Sequence, residues 1–301
     1  MNHLLKMLDL SPEEITEILN LADQLKYEQK HGIPHPHLAG QTLGMIFQKA
    51  STRTRVSFEV GMYQLGGSAL FLSANDLQIG RGEPVQDTAR VLSRFLDGIM
   101  IRTFAQSEVE ALAQYGSIPI INGLTDFCHP CQVLADLMTI REHKGSLEGR
   151  KLCYIGDGNN MANSLIVGGL KAGMSVSVAT PAGYKPDPQV LAFAAAYPGF
   201  TWTESPAEAA KDADALYTDV WASMGQEGEA EARKKVFAGY QINSELLQAA
   251  KPDALVLHCL PAHRGEEITD QVMESHPEIF DEAENRLHAQ KAVLVKLMKR
   301  G

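Results

Sequence analysis

Thr42-Leu-Gly-Met-Ile-Phe47 runs on into Lys49-Ala-Ser-Thr-Arg-Thr-Arg-Val-Ser-Phe-Glu59, and the handover between the two decides the fold. The first piece is an apolar run of strand length, and residues 56–65 have the apolar spacing of a helix. Ser51 to Arg55 therefore stand where a strand passes to a helix, with free backbone N–H groups and the positive end of the helix dipole available to an anion. Ser51, Thr52 and Thr54 add hydroxyls there, and Arg53 and Arg55 add guanidiniums, whose fork matches a phosphate face better than an ammonium does. The stretch reads as a phosphate cradle. The alternative is an ordinary Ser/Thr helix cap followed by two solvated arginines.

Outward from this stretch, the pattern of strand followed by helix repeats. Before it, Ser11-Pro-Glu-Glu14 is a capping box with Pro at the first helical position, ahead of Ile15, Ile18, Leu19, Ala22 and Leu25 at helical spacing. After it, strand-like runs at 69–72, 98–101 and 118–121 alternate with helical patterns at 85–95, 108–115 and 132–141. Polarity rises at Lys144-Gly-Ser-Leu-Glu-Gly149, and the alternation restarts at Lys151, with strands expected at 174–179, 201–203, 215–218 and 254–258. Strands alternating with helices imply parallel sheets covered on both faces. The expected fold class is α/β, with a domain at 1–148 and another at 149–301, and a long last helix at 283–299 crossing back to the first domain. Ligands in such sheets bind beyond the carboxyl ends of the strands.

The 301 residues are 45% apolar and 21% charged, a soluble globular profile. A net charge of -10 argues against a nucleic-acid surface, so the arginines of the cradle stand out and suit a small anion. Cys128, Cys131, Cys153 and Cys259 are too few and scattered for a disulfide scaffold. The Cys128-x-x-Cys131 pair lacks a second CxxC or paired histidines, so no metal and no cofactor are expected. No run reaches the roughly 20 apolar residues that cross a bilayer, and no signal segment opens the chain, so the expected location is cytoplasmic.

Further polar groups gather at expected strand ends. Arg102 follows the run 98–101, with Gln106 one turn on; His129 and Gln132 flank Pro130, which can start a helix and aim both into one space. In the second half Ile155-Gly-Asp-Gly-Asn-Asn-Met161 resembles a dinucleotide fingerprint only to its second glycine, and no acidic residue follows the next strand. That argues against a nicotinamide dehydrogenase. The pair Asn159-Asn160 at a helix start suits an amino-acid carboxylate, or a plain structural turn. Asp219-Val-Trp-Ala-Ser-Met-Gly225 offers a carboxylate for an ammonium, and His258-Cys-Leu-Pro261 a thiol that is either reactive or simply buried.

These separated motifs, taken in order, resemble the transcarbamoylase family over essentially the whole chain. Ser51-Thr-Arg-Thr-Arg55 and His129-Pro-Cys-Gln132 look like its carbamoyl-phosphate motifs, and the Asp219 and His258 segments look like those of its ornithine branch. The resemblance implies that Ser51, Thr52, Arg53 and Thr54 grip the phosphate, and that Arg102 bridges phosphate and carbamoyl oxygen. His129 and Gln132 then orient the carbamoyl group, the backbone at Cys259 and Leu260 accepts from its amide, and Arg286 completes the pocket. Gln78 resembles a loop residue that reaches a neighbouring subunit's site. Asn160, Asp219, Ser223 and Met224 are assigned to ornithine, with Asn160 on its α-carboxylate, Asp219 on its α-ammonium and Cys259 beside its δ-amine. The expected reaction is direct transfer from carbamoyl phosphate to the δ-amine of L-ornithine, giving citrulline and phosphate, with Cys259 contributing to the amine's deprotonation. The expected assembly is a homotrimer. A related amine as acceptor and a non-catalytic paralogue are the rival readings.

Overall fold

The computed structural model describes residues 1–223 and 227–299, with the backbone alone at 80, 81 and 227. The chain divides into two compact units, one of Met1–Ala135 with Asn285–Gly301, the other of Asp136–Glu284.

The first unit begins with α1 (Pro12–Lys30), whose capping box forms: Glu14 N donates to Ser11 Oγ at 3.1 Å and Ser11 N to the Glu14 carboxylate at 3.0 Å. There follow β1 (Thr42–Phe47), α2 (Thr52–Gln64), β2 (Ser68–Ser73), α3 (Val85–Leu92), β3 (Gly98–Arg102), α4 (Gln106–Tyr115), β4 (Ile120–Leu124) and α5 (Pro130–Lys144). Among the described residues the sheet has the order β2-β1-β3-β4, all parallel. β3 and β4 are buried throughout and β1 nearly so, which is why each reads as an uninterrupted apolar run; the edge strand β2 is largely exposed.

The register sets the site. Phe47 lies opposite Arg102, and Arg102 opposite Leu124, so the residues after β1, β3 and β4 leave the sheet at one end. β4 starts after Pro119, which has no N–H for the ladder, and continues through Asn122 and Gly123, beyond the expected 118–121. Asn122 is fully buried, and its amide donates to Leu5 O at 2.8 Å.

The second unit contains β5 (Lys151–Ile155), α6 (Asn160–Lys171), β6 (Ser175–Ala179), α7 (Pro188–Ala194), β7 (Phe200–Thr203), α8 (Pro206–Ala210), β8 (Ala215–Thr218), α9 (Ala230–Phe237), α10 (Ser244–Leu247), β9 (Leu255–His258) and α11 (Asp270–Ser275). Its parallel sheet runs β7-β6-β5-β8-β9 among the described residues. Ile155 pairs with Thr218, and Thr218 with His258, so Gly156, Asp219 and Cys259 follow at one sheet end. A core of Cys153, Ile155, Leu216, Val256, Ile268 and their neighbours packs on this sheet.

The last helix, α12 (Glu278–Met298), starts earlier than the expected 283. From Asn285 onward it belongs to the first unit: Lys26 donates to Asn285 Oδ1 at 2.8 Å, Gln290 to Ser57 Oγ at 2.6 Å, and Lys296 pairs with Glu17 at 2.5 Å. The sequence pattern restarts at β5, whereas the compact units divide inside α5, at Ala135 and Asp136. A continuous helix has no break in its periodicity to mark such a division.

Candidate active site

In the first unit, Ser51 is the N-cap of α2, and its Oγ accepts from Thr54 N at 3.2 Å. Such a cap stabilises a helix by about 1 kcal/mol and still leaves other first-turn N–H groups without helical partners. Thr52 and Arg53 sit in that first turn, Thr52 exposed and Arg53 half-buried. Thr54 is fully buried, and its hydroxyl accepts from Arg286 Nη2 at 2.9 Å. Arg286 also donates from Nη1 to Gln132 Oε1 at 2.9 Å and from Nε to Gln290 Oε1 at 3.2 Å. Residues far apart in the chain, on α2, α5 and α12, are thereby locked into one network. A buried guanidinium held in this way is both satisfied and fixed in direction.

His129 and Arg102 are buried beside it. Burial, then the charges of Arg286 and Arg102, push the His129 pKa well below its ordinary 6.5, so the imidazole is neutral. A neutral ring surrounded by two guanidiniums is suited to hydrogen bonding with an anionic or polarised ligand.

Two charges of the opening stretch point elsewhere. Arg55 is exposed, pairs with Glu59 at 3.0 Å one turn on, and lies over the Phe71 ring at 3.8 Å. An exposed pair of this kind contributes only about 0.3–0.5 kcal/mol, and it directs Arg55 along α2, so Arg53 is the guanidinium left to the cradle. Lys49 bonds Asp126 and sits 4.3 Å from the Phe104 ring. Gln78 is exposed in a 3-10 turn, Gln78–Arg81, and takes no part in the Arg286 network. Gln106, one turn past Arg102, is structural: its Oε1 accepts from Thr125 Oγ1 at 2.8 Å and its amide donates to Leu5 O at 3.2 Å.

In the second unit, β5 passes to α6 through Gly156 and Gly158. Gly156 has φ +145°, and a Cβ on Gly158 would lie 2.3 Å from the carbonyl carbon of Lys185. The two glycines are thus explained by local backbone, with no dinucleotide required. Asn159 caps α6, its Oδ1 accepting from Met161 N at 2.9 Å and Ala162 N at 3.2 Å. Its Nδ2 donates to Asp219 Oδ2 at 2.8 Å. Asn160 opens the helix, half-buried.

Asp219 is buried and accepts from Cys259 Sγ at 3.0 Å and from Val220 N at 2.8 Å, both on Oδ1. A carboxylate offers about four acceptor positions. Three are used, and the fourth suits an ammonium. Burial, then the Asp219 charge, push the Cys259 thiol well above its ordinary value. Cys259 is thus held as a thiol that donates to a carboxylate.

The loop after Asp219 is held by Arg233, a buried residue that nothing in the sequence singles out. It pairs with Asp157 at 2.8 Å and donates to Trp221 O at 2.9 Å. Ser223 is half-buried, and Met224 lies outside the described residues. His258 and Glu267 are both fully buried and paired at 3.0 Å. Leu260 N donates to His258 Nδ1 at 2.8 Å, so Nε2 carries the proton facing Glu267. This fixes Leu260, whose φ of +57° is in the left-handed region.

The other three thiols are buried. Burial raises Cys128, Cys131 and Cys153 to about 12 each. Asp219, His258 and Cys259 lie close enough to hold a metal ion, but their ligand atoms are already bonded to Asn159, Glu267, Leu260 N and one another.

The chain matches two family models in succession: Aspartate/ornithine carbamoyltransferase, carbamoyl-P binding domain, over residues 2–142, and Aspartate/ornithine carbamoyltransferase, Asp/Orn binding domain, over 148–297. It is 58% identical to an ornithine carbamoyltransferase of Thermococcus kodakarensis, covering 96% of this chain and 94% of the relative. It is 57% identical to a protein of Pyrococcus furiosus named ornithine carbamoyltransferase, anabolic, covering 98% of this chain and 96% of that one. The solved ornithine carbamoyltransferase structure from P. furiosus superposes with a TM-score of 0.95 at 56% identity, over 99% of this chain and 97% of that one.

Proposed function

The chain belongs to the aspartate/ornithine carbamoyltransferase family, and from that premise we propose that it transfers the carbamoyl group of carbamoyl phosphate to the δ-amine of L-ornithine, giving L-citrulline and phosphate. The observation that carries the choice of acceptor is the buried Asp219 carboxylate beside Cys259. An acceptor with two amino groups must have one anchored while the other reacts, and a carboxylate anchors an ammonium. Aspartate, with a second carboxylate and no second amine, gains nothing from that anchor.

In this reading Ser51, Thr52, Arg53 and Thr54 bind the phosphate with the N-terminus of α2, and Arg102 reaches phosphate and carbamoyl oxygen together. Arg286, Gln132 and the neutral His129 fix the carbamoyl group. Thr54, Arg102 and His129 stabilise the oxyanion that develops when the amine attacks. The backbone at Cys259 and Leu260 accepts from the carbamoyl amide, and Leu260 is held for this by His258. Asn160 takes the α-carboxylate of ornithine, Asp219 its α-ammonium, and Ser223 and Met224 complete the acceptor site. The attacking δ-amine must be neutral. The proton it loses as the new C–N bond forms passes to the departing phosphate, and no covalent enzyme intermediate forms.

The domain of residues 1–148 binds carbamoyl phosphate and that of 149–301 binds ornithine. The family resemblance and the exposed apolar edge strand β2, with Leu70 and Phe71, support a homotrimer in which Gln78 reaches a neighbouring subunit's site. Light scattering should then give three times the 32.9 kDa of one chain. No helix among the described residues is long and apolar enough to cross a membrane. Free thiols at all four cysteines support a cytoplasmic location. The anabolic name of the P. furiosus relative supports the citrulline-forming direction, in arginine biosynthesis.

The test is phosphate release and product mass with ornithine, putrescine, N-acetylornithine or aspartate supplied in turn. Citrulline with ornithine and little product from the others is expected. A preference for another amine would overturn the acceptor assignment and leave the carbamoyl-phosphate half standing.

A further inference from the structure

The side chain that aims the Asp219 carboxylate is Asn159, and we infer that Asn159 is a positioning residue that sets specificity for the amino-acid acceptor while leaving carbamoyl phosphate binding untouched. The inference rests on the proposed ornithine reaction. Asn159 Oδ1 accepts from Met161 N at 2.9 Å, from Ala162 N at 3.2 Å and from the Tyr154 hydroxyl at 3.2 Å. Two of these donors are backbone N–H groups, which can be met only by an oxygen, so the amide has one orientation. Its nitrogen end is thereby committed to Asp219 Oδ2, which it reaches at 2.8 Å.

Rigidity arrives from both sides. The helix terminus fixes Asn159, and Tyr154 is fully buried in β5 with its ring 6.2 Å from that of Tyr217 in β8. Asp219 follows β8 directly, so the hydrogen bond ties the ends of two adjacent strands to the start of α6. Cys259 Sγ and Val220 N occupy Oδ1, and among the described residues Asn159 alone restrains Oδ2. Without it only Oδ1 stays held, by Cys259 and Val220, and Oδ2, the oxygen offered to an α-ammonium, loses its restraint. Neighbouring Asn160 bears directly on the substrate in the proposed reaction, whereas Asn159 acts through Asp219.

Asn159→Ser keeps an N-cap acceptor and removes the donor; Asn159→Asp keeps the shape and the cap but sets a second carboxylate against Asp219. A charge-assisted hydrogen bond of this kind corresponds to roughly 10- to 100-fold in affinity. The experiment is steady-state kinetics of both variants beside the wild-type chain, varying ornithine and carbamoyl phosphate separately, with thermal unfolding as the control for folding. Expected is an ornithine KM raised at least about tenfold in both variants, more in Asn159→Asp, with the carbamoyl phosphate KM within about twofold of wild type. An unchanged ornithine KM in either folded variant, or equal increases for both substrates, overturns the positioning role. Failure of both variants to fold assigns Asn159 to the cap alone and overturns it too. A wild-type chain that makes no citrulline overturns the reaction itself, and this inference with it.

Discussion

At the scale of single residues, the same chemical group is made useful or inert by its neighbours. Cys259 and Cys128 are both thiols. Cys128 is enclosed with Thr125 and pushed to about 12, whereas Cys259 donates a hydrogen bond to Asp219. If donation to Asp219 is its contribution, Cys259→Ser, which keeps a donor, retains most ornithine affinity, while Cys259→Ala raises the ornithine KM about tenfold or more. Equal loss in both would point to a thiolate instead. Arg286→Ala removes the donor shared by Thr54, Gln132 and Gln290. Leaving such buried groups unsatisfied costs about 1–3 kcal/mol, so denaturant unfolding should show a lower midpoint as well as a higher carbamoyl phosphate KM. On the proposed roles, Arg102→Ala and His129→Ala each withdraw a donor from the developing oxyanion. Turnover should fall about 100- to 1000-fold with the thermal midpoint little changed, and near-normal turnover in either would remove it from the site.

At the scale of elements, strand ends and helix starts do the positioning. β1, β3 and β4 end level, as do β5, β8 and β9, and the polar residues that follow them gather without any long loop. Ser51→Ala tests one such junction: loss of the α2 cap should lower stability by about 1 kcal/mol and weaken phosphate binding, and both changes are measurable by unfolding and by inhibition with inorganic phosphate. These junctions were also the most legible part of the sequence. Strands buried on both faces are unbroken apolar runs, and Ser51 to Thr54 carry their cap and charge within four residues. The short helices α10 and α11 were not legible, because pieces of 4 and 6 residues have too few turns to reveal a face. Nor was the fate of Arg55, since a residue's charge does not say which way it points. Asn159 with Asp219 and Arg233 with Asp157 are partners separated by 60 and 76 positions, and no local pattern encodes such a pairing.

At the scale of the whole molecule, α12 carries charged groups into the interior of the first unit. Lys291 is fully buried, yet donates to Gln64 Oε1 at 2.9 Å and His35 Nε2 at 3.1 Å, with Leu25 O at 3.4 Å. Burial lowers its pKa to about 8 from an ordinary 10.5. Between those values the unfolded chain binds the extra proton, so stability rises with pH across that window, and the penalty of the buried charge is fully present below about 8. The difference in unfolding midpoint between wild type and Lys291→Met should therefore change between pH 7.5 and pH 10; a constant difference would contradict the assignment. The family's reaction makes a sharper demand on the molecule as a whole, because a carbamoyl donor and an amine acceptor must both be bound and the bond between them must form at one nitrogen. That demand is met or refused by a single experiment: carbamoyl phosphate labelled with carbon-13, ornithine labelled with nitrogen-15 at the δ position, and the purified chain, observed by NMR. The proposed reaction gives a new ureido carbon coupled directly to the δ-nitrogen, together with one phosphate per citrulline. Phosphate release without that coupling, or a label found on any other nitrogen, would contradict it.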